Sequence, residues 1–393
     1  MKIVMVGPFG LRPRGTMSVR ALPLAKALVR RGHEATLLLP PWQNPEDAGR
    51  TWQEDGVRIE NVSLPAGVPG WFHLRLATRL IRRVLALQPD IVHAFKPKAY
   101  AGLVHWALHH RPNAPPVVVD TDDWEGPGGW NEIRDYAAPL KRFFTWQERW
   151  GLRHADAVTA ASSALQTLTW AQGGDPTRVI YVPNGVAWPH PPMELAPHPR
   201  PTLLLYTRFF EYDVARLWEI VQRVKATRAD VRLWVIGQGF FGEEQRLMAL
   251  ARKAGWRVSA SADAADADLV YAGYVPTESL PAHFTQADVA LYPFDDTLVN
   301  RTKCPVKLLD LLAAGLPVVG NAVGEIEAMI RDGETGLLVP PDNSVAFAEA
   351  VIALLNDSSR RKAMGARAAA DVRERFSWDT LAARAERAYQ LAS

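Results

Sequence analysis

The 393-residue sequence holds a single cysteine, Cys304, so no disulfide can close within the chain and a reducing compartment is expected. No run of about 18 consecutive apolar residues occurs, which leaves nothing to span a membrane as a helix. The opening MKIVMVGPFG has an apolar run of only four residues and reads as a first buried strand rather than a signal peptide. Net charge is only +3, too small to argue for a nucleic-acid partner. That charge is uneven, however: +6 over residues 1–187 and −3 over the remainder. Neither GPFGLRPRG nor IGQGFFGEE completes G-x-G-x-x-G after a strand, which argues against a dinucleotide-dependent dehydrogenase. His and Asp spacings suggest neither a zinc site nor a hydrolase triad.

Apolar strands alternate with helical patterns almost from end to end. KIVMVG, EATLLLPP, DIVHAF and PVVVDTDD read as strands separated by helices such as SVRALPLAKALVRRGH and WFHLRLATRLIRRVLALQP. The rhythm breaks at WPHPPMELAPHPRP, whose six prolines cannot continue a helix or a central strand. It then restarts with TLLLYTRF and VRLWVIGQG. The expectation is an α/β protein of two Rossmann-like, doubly wound domains facing a cleft. Residues 1–187 form the first domain, 188–200 a linker, 201–376 the second domain, and 377–393 a terminal helix packing back on the first.

One stretch combines apolar and charged residues. In NRTKCPVKLLDLLAAGLPVVG, Lys303, Lys307 and Asp310 fall at i, i+4 and i+7, on one face of a helix. Cations suit a diphosphate, and a carboxylate suits a vicinal diol because it accepts two hydrogen bonds. The competing reading is a solvated face on which Asp310 pairs with either lysine.

The segments RHADAVTAASSALQTLTWAQGGDPTRVIYVPNGV, YVPTESLPAHFTQADVALYPF and KLLDLLAAGLPVVGNAVGEIEAMIRDGETGLLVPPDN resemble those of family 4 retaining glycosyltransferases of the GT-B fold. LAKALVRRGHEATLL and FSWDTLAARAERAY are similar too, and the five segments keep the family's order over nearly the whole chain. The resemblance implies a UDP- or GDP-sugar donor held mainly by the second domain, an acceptor held mainly by the first, no required metal and no cofactor. By the same resemblance Asp310 takes the place of the second Glu of the family's E-x7-E motif, the ribose ligand. Arg208 matches a diphosphate-facing arginine; its alternative is a salt bridge with Glu211 or Asp213. Gly324 and Ile326 match a glycine-rich donor turn, and the backbone near Tyr274 and Val275 is the expected base-recognition site. Gly10 and Gly15 match the flexible loop after the first strand, where Arg12 and Arg14 add charge.

The chain also departs from that pattern. Thr302 replaces the first Glu of E-x7-E, and Asp213 replaces a lysine that accompanies the arginine. Glu325 is a candidate for the missing acid, with Arg301, Asp295 and Asp296 nearby. Asp122 stands where the family usually has a catalytic histidine, next to Asp123. These aspartates and Asp120 read alternatively as caps of the following helix or as partners of the nearby Trp124–Trp130 loop. His93, beside Lys96 and Lys98, is a further catalytic candidate, or else a hydrogen-bonded structural residue.

The resulting expectation is retaining transfer of a hexose from a nucleotide diphosphate sugar to a hydroxyl of a glycan or lipid-linked acceptor. The alternative is a catalytically silent protein that keeps the nucleotide-sugar pocket. An anionic membrane surface is a candidate partner. Trp71, Phe72, Leu80, Ile81 and Val84 share a helix with Arg75, Arg79, Arg82 and Arg83, in a pattern that suits either a lipid interface or a solvated helix flanking a sheet. KRFFTWQERWGLRH has similar chemistry, with its aromatics expected to pack the domain. The expected location is the cytoplasm, with peripheral attachment to the inner face of the membrane.

Overall fold

Two α/β units build the computed structural model, which describes residues 1–393 except 14, 67–70, 134–135, 194–199, 262–263 and 265. The first unit comprises Met1–Gly185, Thr302–Cys304 and Phe376–Ser393. Its strands are β1 (Lys2–Val6), β2 (Glu34–Leu39), β3 (Thr51–Glu54), β4 (Val57–Asn61), β5 (Ile91–Phe95), β6 (Val117–Thr121), β7 (Ala157–Ala160) and β8 (Val179–Tyr181). They lie in the order 3-4-2-1-5-6-7-8. All pair in parallel except the β3–β4 hairpin. Its two-residue turn, Asp55-Gly56, has positive φ at both positions, the geometry that keeps a twisted hairpin in register.

The helix Trp378–Ala392 belongs to this first unit. Leu381, Ala382, Ala385, Ala388 and Tyr389 enter one core with Leu24, Leu28 and Met5. Gly185 meets the Trp378 indole so closely that a Cβ there would lie 2.6 Å from the ring. Inside the same unit, the Cys304 carbonyl accepts from Asn184 Nδ2 at 2.7 Å.

The second unit comprises Val186–Arg301 and Pro305–Arg375. Its strands are β9 (Thr202–Tyr206), β10 (Arg232–Ile236), β11 (Val258–Ser259), β12 (Leu269–Gly273), β13 (Val289–Tyr292), β14 (Val318–Asn321) and β15 (Leu337–Val339). The order 11-12-10-9-13-14-15 is parallel throughout and reverses direction at β9. In such sheets ligands bind beyond the carboxyl ends of the strands where the winding changes hand. Of the proline-rich stretch, residues 194–199 lie outside the described residues. Before them, Trp188 is buried and stacks on Phe284, with ring centroids 5.1 Å apart.

Among the described residues no helix is long and apolar enough to cross a membrane. On the helix Phe72–Leu87, Leu80 and Val84 are buried against the fold rather than available to lipid. Arg75 and Arg79 donate to the carbonyls of Ala66 and Ser63, and Arg83 grips Glu60.

Candidate functional site

In the second unit, chemistry gathers where β9 and β10 end. Thr207 follows β9, and its hydroxyl accepts from Phe209 N at 2.8 Å, closing a turn that holds Phe209 at φ +68°. Arg208 therefore sits at the tip of the turn, exposed, with its guanidinium carbon 6.0 Å from the Phe240 ring centre. No carboxylate pairs with it among the described residues, so the expected alternative of a salt bridge to Glu211 or Asp213 is not formed. At the end of β10, Gly237 has φ +125°, and a Cβ there would lie 1.9 Å from the Thr207 carbonyl oxygen. Only glycine lets the two strand ends approach this closely.

The helix Val306–Ala313 brings in the next groups. Pro305 fixes its start as N-cap, which leaves Lys303 in the loop before it. The expected three-residue stripe is thus corrected: Lys303 shares no helical face with the other two, because proline interrupts the i→i+4 ladder between them. Lys303 falls in the first unit. Lys307 Nζ donates to the Thr207 carbonyl at 3.1 Å and lies 3.7 Å from the Tyr206 ring centre.

Asp310, one turn further on, is 8% exposed. No donor among the described residues hydrogen-bonds its carboxylate. Burial pushes its pKa up to about 7, against the pull of the Lys307 charge. An unpartnered buried carboxylate beside a cation is costly unless a ligand brings donors to it.

Gly324 has φ +55°, and a Cβ there would lie 2.6 Å from the Arg301 carbonyl oxygen. Glu325 opens the short helix Glu325–Met329 and is buried. Ile326 is buried too, with its Cγ2 over Gly320. Tyr274 stands 79% exposed just past β12, followed by half-buried Val275.

The departures from the family pattern have structural roles. Asp213 caps the helix Val214–Thr227, accepting from Ala215 N at 2.9 Å. Asp295 accepts from Asp213 N and from Arg216. Asp296 and Arg301 hold each other through two hydrogen bonds. Thr302 is buried.

In the first unit, Asp122 follows β6. Its Oδ2 accepts from the Thr16 hydroxyl at 2.9 Å, and its Oδ1 lies 3.0 Å from Lys96 Nζ. Lys96 also meets Asp123 at 2.5 Å, and Asp123 accepts from Trp130 Nε1. Its three neighbouring carboxylates hold the buried Lys96 ammonium above the usual lysine pKa, against the cost of burial. Lys96 reaches this position from a backbone φ of +60°, a strained value that sequence pattern does not announce. Lys98 pairs with Glu125 at 2.6 Å. Gly15 precedes the π-helical turn Thr16–Ala21, whereas Gly10 packs on Asn44, whose Oδ1 would lie 2.5 Å from an added Cβ. Arg12 is engaged by Asp47, and Arg14 lies outside the described residues.

His93 is corrected from catalytic to structural. It is fully buried, with Nδ1 at 2.9 Å from the Tyr389 hydroxyl and Nε2 at 3.0 Å from the Thr159 hydroxyl. Both ring nitrogens are therefore engaged by the fold. Thr159 in turn donates to Asp120, which carries the buried Arg20 through two hydrogen bonds of 2.8 and 2.6 Å. Burial and the Arg20 charge lower the His93 pKa to about 3. The unfolded chain takes up this proton near pH 6.5 while the folded chain does not, so His93 costs stability as pH falls from about 6.5 toward about 3. His93→Gln is expected to lower unfolding free energy by about 1–3 kcal/mol and to leave turnover unchanged, as read by denaturant melts and steady-state rates. A loss of turnover greater than the loss of folded protein would return His93 to the chemistry.

Residues 15–185 match the Glycosyl transferase 4-like domain, and residues 200–357 match Glycosyl transferases group 1. The chain is 26% identical to the phosphatidyl-myo-inositol mannosyltransferase of Mycobacterium leprae (strain TN), over 99% of this chain and 96% of that protein. It is 25% identical to the GDP-mannose-dependent alpha-(1-6)-phosphatidylinositol monomannoside mannosyltransferase of Mycolicibacterium smegmatis (strain ATCC 700084 / mc(2)155), over 90% of this chain and 89% of that one. Sucrose-phosphate synthase (tll1590) from Thermosynechococcus elongatus superposes with a TM-score of 0.73 at 18% identity, covering 99% of this chain and 98% of that chain. Anabaena Alr3699/HepE in complex with UDP-glucose superposes at 0.70 and 16% identity, covering 98% and 99%. At such identities these structures speak to the fold alone.

Proposed function

We infer the function from a premise of kinship: the chain belongs to the family 4 glycosyltransferases of the GT-B fold. Our reading is that it moves a hexose from a UDP- or GDP-sugar to a hydroxyl of a glycan or lipid-linked acceptor, with retention of configuration. The observation that carries this reading is the Asp310 carboxylate, buried with no hydrogen-bond donor among the described residues, one turn from Lys307. A ribose diol supplies the two donors that such a carboxylate lacks. Arg208 and Lys307, on either side of Thr207, supply cations where a departing diphosphate gains charge.

In this reading the bond from the anomeric carbon to the diphosphate oxygen breaks, and its electron pair goes to that oxygen. The acceptor oxygen bonds to the same face of the anomeric carbon, and its proton passes to the departing oxygen. No strong protein base is then required. Asp122, held by Thr16 and Lys96, orients the acceptor hydroxyl. The reading calls for no metal and no cofactor. A lipid-linked acceptor is inferred from the relatives, whose names specify mannosyl transfer to phosphatidylinositol-type acceptors.

A screen of nucleotide sugars, with GDP-mannose first, for slow release of nucleoside diphosphate tests the reading. Turnover of at least one donor is expected. The second reading, a silent nucleotide-sugar-binding protein, is favoured by the helix-capping role of Asp213 and the buried, uncharged Thr302 at positions where the family carries charge. Nucleotide binding without turnover, with or without acceptors, would select it.

A further inference from the structure

We propose that the outer face of the helix Ala138–His154, together with the end of the helix Ala99–His109, docks the first unit onto an anionic lipid bilayer. The proposal rests on the lipid-linked acceptor reading for its purpose, though not for its physics. The aromatics of this helix were expected to pack the domain. Phe144 and Leu152 do so, but Trp146 is 45% exposed and Phe143 is exposed beside it. On the neighbouring helix Trp106 is 43% exposed.

These rings form a continuous ladder. Phe143 stacks on Trp146 at 5.8 Å, Trp146 meets Trp150 at 6.2 Å, Trp150 stacks on His110 at 5.9 Å, and His110 meets Trp106 at 4.8 Å. Indoles have an apolar body and a polar edge, which suits the headgroup level of a bilayer.

On the two helices themselves the exposed charge has one sign. Arg142, Arg149 and Arg153 are exposed, and their guanidiniums have no hydrogen-bond or ion-pair partner among the described residues. The only acid on the two helices, Glu148, is fully buried on the opposite side, where its Oε2 accepts from Glu125 N. Exposed tryptophans interleaved with unpaired arginines and no acid complement an anionic lipid surface rather than a mixed-charge protein surface. The helix Phe72–Leu87 fits less well, because three of its arginines are engaged by the first unit itself. The inner side of Ala138–His154 also tethers the strand ends near Asp122. Gln147 bonds the Ala99 backbone in both directions, and Glu148 holds the residue that pairs with Lys98.

Flotation with phosphatidylglycerol-containing vesicles, against phosphatidylcholine alone, tests the proposal using the full chain. Binding to the anionic vesicles is expected, weakened roughly fivefold for each arginine reversed in Arg142→Glu and Arg149→Glu. Phe143→Ala with Trp146→Ala should abolish most of it, while circular dichroism and nucleotide binding stay unchanged. Trp71→Ala with Arg82→Glu, on the other helix, should leave vesicle binding intact. Three results would overturn the proposal: equal binding to neutral vesicles or none to either, a larger loss in the Trp71/Arg82 pair, or sedimentation showing a wild-type dimer that Trp146→Ala dissociates. Flotation needs neither donor nor turnover, so its failure leaves the transferase reading standing.

Discussion

Arg208→Ala is expected to lower kcat by about 10²–10³-fold, the loss typical of one donor aimed at charge that develops in a transition state. Folding should be unaffected, since the side chain is exposed at the tip of its turn, beside the Phe240 ring. Nucleoside diphosphate affinity should fall less than kcat, because Lys307 still faces the same strand end. Steady-state rates with the donor identified by the screen, set against calorimetric nucleotide affinity, separate the two effects. A rise in KM at constant kcat would instead make Arg208 a ground-state binder.

Asp310→Asn should move affinity and stability in opposite directions. Loss of the carboxylate is expected to weaken nucleoside diphosphate binding about 10- to 100-fold, since the ribose hydroxyls lose a charged acceptor. The empty protein should become more stable. The Asp310 pKa rises from 3.8 in the unfolded chain to about 7 when folded, so the folded form holds a proton that the unfolded form releases. This contribution is fully present below about pH 3.8 and is lost as pH rises through about 7, with each tenfold change in proton affinity equivalent to about 1.4 kcal/mol. Near pH 8 the asparagine variant should therefore be more stable than the wild type by about 2–4 kcal/mol, and near pH 4 the advantage should vanish. Wild-type affinity for nucleotide should weaken as pH falls below about 7, a dependence the variant lacks. Unchanged affinity in the variant would remove Asp310 from the ribose.

The strand–helix alternation and the family likeness could be read from the sequence because both are local patterns that survive without tertiary context. Arg208 after an apolar strand and the Lys307–Asp310 pair were legible for the same reason. Lys303 was misplaced although Pro305 was in plain view; the heptad-like spacing outweighed a residue that starts a helix rather than continuing one. The hairpin at Asp55-Gly56 carried a readable turn signal, but its strands are half polar and short. His93 could not be assigned locally. Its partner Tyr389 arrives from the far end of the sequence, and nothing near position 93 announces it. Lys96 was similarly hidden, since its approach to Asp122 depends on one left-handed backbone angle.

The packing of Trp378–Ala392 into the first core has a biosynthetic consequence. Residues 1–185 leave the ribosome early, yet their hydrophobic interior stays open until the helix 378–392 emerges. The last helix of the second unit, Ser358–Arg375, ends just ahead of it, so both units close only near the end of synthesis. The first-made half should therefore wait longest, on a chaperone or on its own slow collapse, while nearly the whole chain is made.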